Sequence, residues 1–293
     1  MSESTPKTVE TWWTEYRRLV RDVAYRVLGS ITDAEDVTQD TYVRLLAQDP
    51  ARIENPRAWL VTVASRLSLD RLRSHEQSRR AYVGPWLPEP VVTDELSPED
   101  RVTLDDSVRM ALLVVLERLS PGERTAFILH DVFQLDFTAI AGILGGSTAG
   151  SRRLASRARR KVTEEGVPRF APDPTTARTL AERFARACAV GDLDGLVAVL
   201  AADVHGDFDS GGLIPDAPTV ELHGAETVAR QLLAGFAGVR LDFAVARVNG
   251  EPGVVVHRDG RPVTVLSLSV TGGTIATIHA IGNPDKLRHL QPR

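Results

Sequence analysis

The sequence contains one cysteine, Cys188, in 293 residues. A lone thiol excludes an internal disulfide and any cysteine-rich zinc centre. No apolar run approaches the roughly 20 residues that a membrane-spanning helix needs. The chain opens Met1-Ser2-Glu3-Ser4-Thr5-Pro6-Lys7, without the charged-then-apolar layout of a signal peptide. These absences predict a cytoplasmic chain with no membrane partner. Internal repeats are missing as well, which argues against a solenoid. An excess of base is also absent, with 35 Lys+Arg against 39 Asp+Glu and a formal net charge of −4. That average speaks against a uniformly basic nucleic-acid binder. It conceals strong patterning, however, and local charge sets local potential. Residues 32–40 carry Asp33, Glu35, Asp36 and Asp40 with no base. Residues 152–161 carry Arg152, Arg153, Arg157, Arg159, Arg160 and Lys161 with no acid.

The length suits two or three domains of roughly 100–150 residues. Residues 8–80 read as a first helical domain. Leu19, Val20, Val23, Ala24, Val27 and Leu28 recur at helical spacing, and Gly29 stops that helix. The capping box Thr32-x-x-Glu35 predicts the next start. That helix buries Ala34, Val37, Thr41 and Leu45 and leaves its acids outside. Asn55-Pro56 predicts a third helix, running to about Arg73. Residues 81–100 form a linker, because the prolines of Tyr82-Val83-Gly84-Pro85-Trp86-Leu87-Pro88-Glu89-Pro90 cannot sit in a helix interior. Residues 101–165 are a second helical domain. A helix from Ser97-Pro98-Glu99-Asp100 carries the stripe Leu104, Val108, Ala111, Leu112, Val115, Leu116 and Leu119. The capping box Ser120-Pro121-Gly122-Glu123 starts another, reaching about Phe133. A third domain spans 173–290. Helices come first, from Asp173-Pro174, over Leu193–Leu200 and near 225–236. Strands then alternate with the turn dipeptides Asn249-Gly250, Asp259-Gly260 and Gly272-Gly273. That order is an α+β pattern.

The best-defined motif is a helix–turn–helix over residues 136–162. A short helix near Phe137–Leu144 turns at Gly145-Gly146 into a last helix capped by Ser147. Such a unit places its second helix in the DNA major groove. Thr148, Ser151, Arg152, Ser156 and Arg157 are expected to be exposed there, where arginines read guanine edges or hold phosphates. On the third helix, Trp59, Thr62, Arg66, Leu69 and Arg73 fall on one side, a mixture that suits unpaired bases and phosphates.

These segments resemble a known family. Asp33-Ala34-Glu35-Asp36-Val37-Thr38-Gln39-Asp40-Thr41-Tyr42, Asn55-Pro56-Arg57-Ala58-Trp59-Leu60 and Leu69-Asp70-Arg71-Leu72-Arg73 resemble region 2 of extracytoplasmic-function sigma factors. Leu119-Ser120-Pro121-Gly122-Glu123-Arg124 and the helix–turn–helix, ending Leu154-Ala155-Ser156-Arg157-Ala158-Arg159-Arg160, resemble region 4. The resemblance implies two all-α sigma domains and promoter DNA as a partner. Core RNA polymerase is the other, through the clamp of its largest subunit and its flap. It implies polymerase contacts at Asp33, Asp36, Gln39 and Asp40. The −10 element falls to Trp59, Thr62, Arg66 and Arg73. The −35 element falls to Thr148, Ser151, Arg152, Arg153, Ser156 and Arg157. The family often has Asn where this chain has Arg66.

The linker, a loop at Asp209-Ser210-Gly211-Gly212-Leu213 and Asn283-Pro284-Asp285-Lys286-Leu287 are similar to motifs of sigma factors with a fused SnoaL-like, NTF2-fold domain. That likeness implies an α+β NTF2-like cone that regulates the sigma core in cis. Tyr82, Trp86, Asp209, Asn283, Asp285 and Lys286 are then the regulatory contacts, and a small-molecule ligand of the cone is possible. No catalysis, cofactor or metal is expected. Two alternatives stand beside this reading. One is a stand-alone helix–turn–helix regulator. The other is a SnoaL-like cyclase or isomerase, with His205, Asp207, Asp209, His223 and His279 as proton-transfer candidates.

Overall fold

The computed structural model describes residues 9–93, 109–165 and 173–291. They fall into two compact units. One comprises residues up to Gln77 together with Arg118–Glu165, and the other Ser78–Glu117 together with the chain after Glu165. The helix expected from Ser97, with Leu104 and Val108, begins outside the described residues.

The first unit begins with α1 (Val9–Leu28) and α2 (Ile31–Leu46). Gly29, at φ 69°, ends α1. The expected cap at Thr32 is displaced: Ser30 caps α2, its hydroxyl accepting from Asp33 N at 3.1 Å. The left-handed glycine brings the chain round within one residue, so the first hydroxyl after it takes the cap position. The buried stripe of α2 is Ile31, Ala34, Val37, Thr41 and Leu45. α3 (Pro56–Arg80) starts as expected, with Asn55 Oδ1 accepting from Ala58 N at 3.0 Å. It runs past Arg73 because Ser74–Arg80 contains neither glycine nor proline to stop it.

The second unit contributes α4 (Met110–Glu117), which lies in the stretch assigned above to the second helical domain. The chain then returns to the first unit with α5 (Pro121–Phe127), whose capping box is formed in both directions between Ser120 and Glu123. A single π-helical turn, Ile128–Val132, extends it. α6 (Phe137–Leu144) is capped by Asp136 and closed by Gly145 at φ 69°. α7 (Thr148–Glu164) is capped by Ser147. The bend between α6 and α7 is the expected helix–turn–helix.

The rest of the second unit is α+β. α8 (Pro174–Val190), α9 (Leu193–Val197) and α10 (Ala225–Phe236) pack on one face of a seven-stranded sheet. Its strands are β1 (Val92–Thr93), β2 (Leu200–Asp209), β3 (Leu222–His223), β4 (Asp242–Val248), β5 (Glu251–Arg258), β6 (Arg261–Thr271) and β7 (Thr274–Ile281). Their order is β1-β4-β5-β6-β7-β2-β3. Three expected hairpins turn at Asn249-Gly250, Asp259-Gly260 and Gly272-Gly273, each residue of each pair at positive φ. β2 pairs in parallel with β7, Asp209 opposite Ile281. Leu200 therefore opens a strand instead of closing a helix, and Asp209 ends that strand instead of sitting within a loop. Phe184, Val204, Val228, Val254, Leu266 and Ile278 pack between the helices and the sheet. The opposite face buries Leu87, Met110, Val114, Val255, Val265, Ile281 and Leu287. With both faces covered, β5 reads as the continuous apolar run Val254-Val255-Val256. This is the NTF2-like cone expected from the sequence. The linker is part of it, because β1 extends the sheet edge through the pair Val92 and Val248.

Candidate nucleic-acid interface

In the first unit the acids of α2 gather on one guanidinium. Arg71 Nη1, from α3, lies 3.2 Å from Asp33 Oδ1 and 2.9 Å from Asp36 Oδ2, and Nη2 lies 3.5 Å from Asp40 Oδ2. His75 Nδ1 lies 3.6 Å from Asp33 Oδ2. Burial pulls the Arg71 guanidinium down, but the bonds and charges of Asp36 and Asp33 outweigh it and hold it above its ordinary value. Asp36, Gln39 and Asp40 are exposed and Asp33 is half-buried. Val43 and Leu46, 63% and 56% exposed, continue the same stripe of α2. Arg71, Val43 and Leu46 join this face without having been expected on it. The signal was a base on the neighbouring helix opposite three acids one turn apart.

On α3, Arg66 and Arg73 are exposed and Trp59 and Thr62 half-buried. Leu69 belongs to the opposite set. It is 1% exposed and packs inward with Leu60, Val61, Ala64 and Leu72. Each residue advances a helix by about 100°, so the step of three from Arg66 leaves Leu69 about 60° short of a full turn, on the buried edge, and the step of four to Arg73 returns to the exposed side. Arg66 Nη2 donates to the carbonyl of Gly142, in α6, at 3.0 Å.

On α7, Arg152, Arg153, Ser156 and Arg157 are exposed and Thr148 half-buried. Ser151 departs from expectation. It is 2% exposed, lines the inward face with Ala155 and Ala158, and donates to Ser147 O at 3.2 Å. Its position as the fourth residue of the helix, on the stripe that continues to Ala155, turns it away from solvent. The Arg152 guanidinium sits 5.6 Å over the Phe137 ring, which stacks on His130 at 4.0 Å. Several other bases of α7 are already paired. Lys161 Nζ lies 2.9 Å from Glu123 Oε2, Arg157 Nε 3.7 Å from Glu123 Oε1, and Arg159 Nε 2.6 Å from Asp131 Oδ1. Arg160 Nε lies 3.7 Å from Glu164 Oε1, whereas among the described residues Arg152 and Arg153 are exposed and form no ion pair.

In the second unit the linker is held by a clasp centred on Asp209. Its Oδ1 accepts from the Tyr82 hydroxyl at 2.5 Å, and its Oδ2 accepts from Leu87 N at 2.8 Å and Lys286 Nζ at 2.6 Å. Asn283 Nδ2 donates to the Tyr82 oxygen at 2.6 Å. Lys286 also donates to the carbonyl of Leu87 and sits 3.5 Å over the Trp86 ring, whose other cation is Arg79 at 4.9 Å. Burial, then the bond and charge of Asp209, push the Tyr82 hydroxyl far above its ordinary value. Burial pulls Lys286 down, against the pull of Asp209. A side chain at Gly211 would meet Asn283 and Tyr82, so the strand must be followed by glycine here. Asp285 stays outside the clasp. It is exposed and pairs with Arg288 at 2.5 Å.

The proton-transfer candidates pair across the strands, the His205 ring lying 6.2 Å from that of His223, and do not converge on the cavity of the cone. His279 Nδ1 lies 3.2 Å from Asp207 Oδ2, and His205 Nε2 3.1 Å from Thr277 Oγ1. His223 is exposed. The cone has a half-open pocket of about 280 Å³, lined by residues that include Phe208, Asp209, Ser210, Ile214, Phe236, Leu266 and Ala280. Side chains alternate across a strand. Asp207 and His279, neighbours of Phe208 and Ala280, therefore point to the other face. Among the described residues no group of three or more His, Cys, Asp or Glu side chains is placed to hold a metal ion. No helix among them is long and apolar enough to cross a membrane.

Comparison with known proteins gives this arrangement its family. The family model Sigma-70 region 2 matches residues 12–78, and Sigma-70, region 4 matches residues 109–162. The chain is 40% identical over 288 residues to the ECF RNA polymerase sigma factor SigJ of Mycobacterium tuberculosis, covering 92% of this chain and 90% of that protein. It is 35% identical over 293 residues to the probable ECF RNA polymerase sigma factor SigI of the same species, covering 99% and 98%. The crystal structure of Mycobacterium tuberculosis SigJ matches with a TM-score of 0.74 at 37% identity, over 94% of this chain and 97% of that one. Two helical sigma regions, an NTF2-like cone and relatives of full length agree: the chain belongs to the extracytoplasmic-function RNA polymerase sigma factors.

Proposed function

We propose that this sigma factor is regulated in cis by its C-terminal cone, which takes up the linker as part of its own fold. The observation that carries the reading is Asp209. Its buried carboxylate accepts from Tyr82 and Leu87 of the linker and from Lys286 of the tail. Sigma factors bind core RNA polymerase and promoter DNA. In this chain Asp36, Gln39 and Asp40 meet the polymerase clamp, with Asp33 behind them. Trp59, Thr62, Arg66 and Arg73 meet the −10 strand, and Arg152, Arg153, Ser156, Arg157 and Thr148 the −35 duplex. The protein works in the cytoplasm and catalyses nothing itself. Asp207 and His279 are paired away from the cavity, and Asp209 is taken up by the clasp. The cavity is the place for a small-molecule effector.

The test is run-off transcription with core polymerase. Full-length protein is compared with a version ending before Asn283. Promoter-directed transcripts are expected from the full chain, and a changed yield from the shortened one. Inability of both versions to bind core polymerase would end the reading. Equal yields would remove the role of the tail.

A further inference from the structure

The acidic face of α2 already has a cation on it. One guanidinium, Arg71, reaches three carboxylates at positions i, i+3 and i+7, with 2.9 Å to Asp36 and 3.5 Å to Asp40. Arg71 is 28% exposed and Asp33 21%, whereas Asp36 and Asp40 are each 53% exposed. Asp33 is therefore enclosed between Arg71 and His75. Asp36 and Asp40 each keep one carboxylate oxygen clear of Arg71 and give the other to it.

We propose that Arg71 is an internal competitor for the polymerase: it occupies carboxylate oxygens that a cationic partner uses, and so sets how readily this sigma factor joins the core enzyme. The inference rests on the reading that this face binds polymerase. A partner arginine gains most from a carboxylate when it engages both oxygens at once. Here one oxygen of each exposed carboxylate is already taken, so a two-oxygen grip requires Arg71 to let go. The cation also weakens the field of the face, and charge complementarity acts mainly on the rate of encounter. Arg71 thus works as a positioning and tuning residue that need not touch the partner. The opposing account is a structural staple between α2 and α3. Half-exposed ion pairs contribute little to stability, and the two accounts predict opposite changes in binding rate.

The experiment measures association of full-length protein with core polymerase at several salt concentrations. The variants are Arg71→Gln, Arg71→Lys and Asp36→Lys. Arg71→Gln is expected to associate roughly threefold to tenfold faster at low salt, with the gain shrinking as salt screens the face. Arg71→Lys keeps the charge and is expected to stay near wild type. Association of Arg71→Gln at or below the wild-type rate, with an unchanged melting temperature, overturns the proposal. Should Arg71→Gln unfold because its acids repel, Asp33→Asn with Arg71→Gln relieves the repulsion and must show the same gain; its failure to do so overturns the proposal equally. Asp36→Lys separates the two layers. Wild-type binding by that variant removes the polymerase reading of the face and the inference with it. Loss of binding there together with no gain in Arg71→Gln removes the inference alone.

Discussion

The guanidinium of Arg66, on α3, donates to the carbonyl oxygen of Gly142, in α6, at 3.0 Å. One hydrogen bond thereby joins the helix proposed for the −10 strand to the first helix of the proposed −35 reader. Duplex DNA rises about 3.4 Å per base pair, so elements some 25 base pairs apart lie on the order of 80 Å apart. Those two surfaces cannot keep this bond and occupy both elements. We predict that Ser74→Cys and Glu164→Cys, exposed positions on α3 and α7 carrying a pair of fluorescent labels, report a short distance in the free protein. With core polymerase and promoter the distance should rise severalfold. Cys188 is buried and leaves the labels unambiguous. A distance that stays short in the promoter complex would refute the opening.

Asp209 and Lys286 form a pair of buried charges, 1% and 4% exposed as whole residues. Removing one partner of such a pair leaves the other uncompensated, which costs about 3–5 kcal/mol. Asp209→Ala should therefore destabilise the second unit by about that amount and speed protease cutting within residues 82–93. Lys286→Met in the same chain removes the orphaned ammonium and should recover part of the loss. Chemical denaturation and timed proteolysis measure both. Additive losses in the double variant would show that the two groups do not act as a pair.

Much of this was legible in the sequence, for local reasons. Ser120, Ser147, Asn55 and Asp173 announced their helices because a cap is a contact over two or three residues. Asn249-Gly250 and its two counterparts announced hairpins for the same reason. The strand β2 stayed hidden. Its Asp203, His205, Asp207 and Asp209 are residue types that rarely fill strands, and its main partner β7 is far off in sequence and runs parallel. The clasp was visible as a set of motifs without its geometry, because Tyr82, Asp209 and Lys286 meet only through the sheet. On the first unit, the outer acids of α2 and the arginines of α7 could be placed from helical periodicity. Ser151, Leu69 and Arg71 could not, because which way each points depends on the helix it packs against.

The inward position of Ser151 makes a comparison within α7. Arg152→Ala and Arg153→Ala each remove an exposed cation. Binding of the holoenzyme to a −35 element should weaken, by about 1–3 kcal/mol where the arginine meets a base edge. Where it meets a phosphate, the salt slope should drop by about one. Ser151→Ala removes a hydroxyl that bonds Ser147 O and should leave promoter choice unchanged. Competition between promoter variants at several salt concentrations measures all three. A Ser151→Ala variant that changes base preference would return that residue to the DNA surface.

Glu123 offers a test through pH. Burial raises its carboxyl, but Lys161 and the backbone and hydroxyl of Ser120 outweigh burial and hold it below its ordinary value. A carboxyl depressed on folding contributes stability above its unfolded value, and that stability is lost as pH falls through the folded value. The first unit should accordingly weaken on the acid side of the ordinary carboxylate range. Glu123→Gln keeps the box with Ser120, since either residue type serves there. It removes the charge that Lys161 and Arg157 face. The variant should be less stable at neutral pH by about 1–3 kcal/mol, and its melting temperature should fall less steeply than that of wild type on acidification. Parallel pH profiles for the two proteins would mean that another carboxylate governs the acid transition.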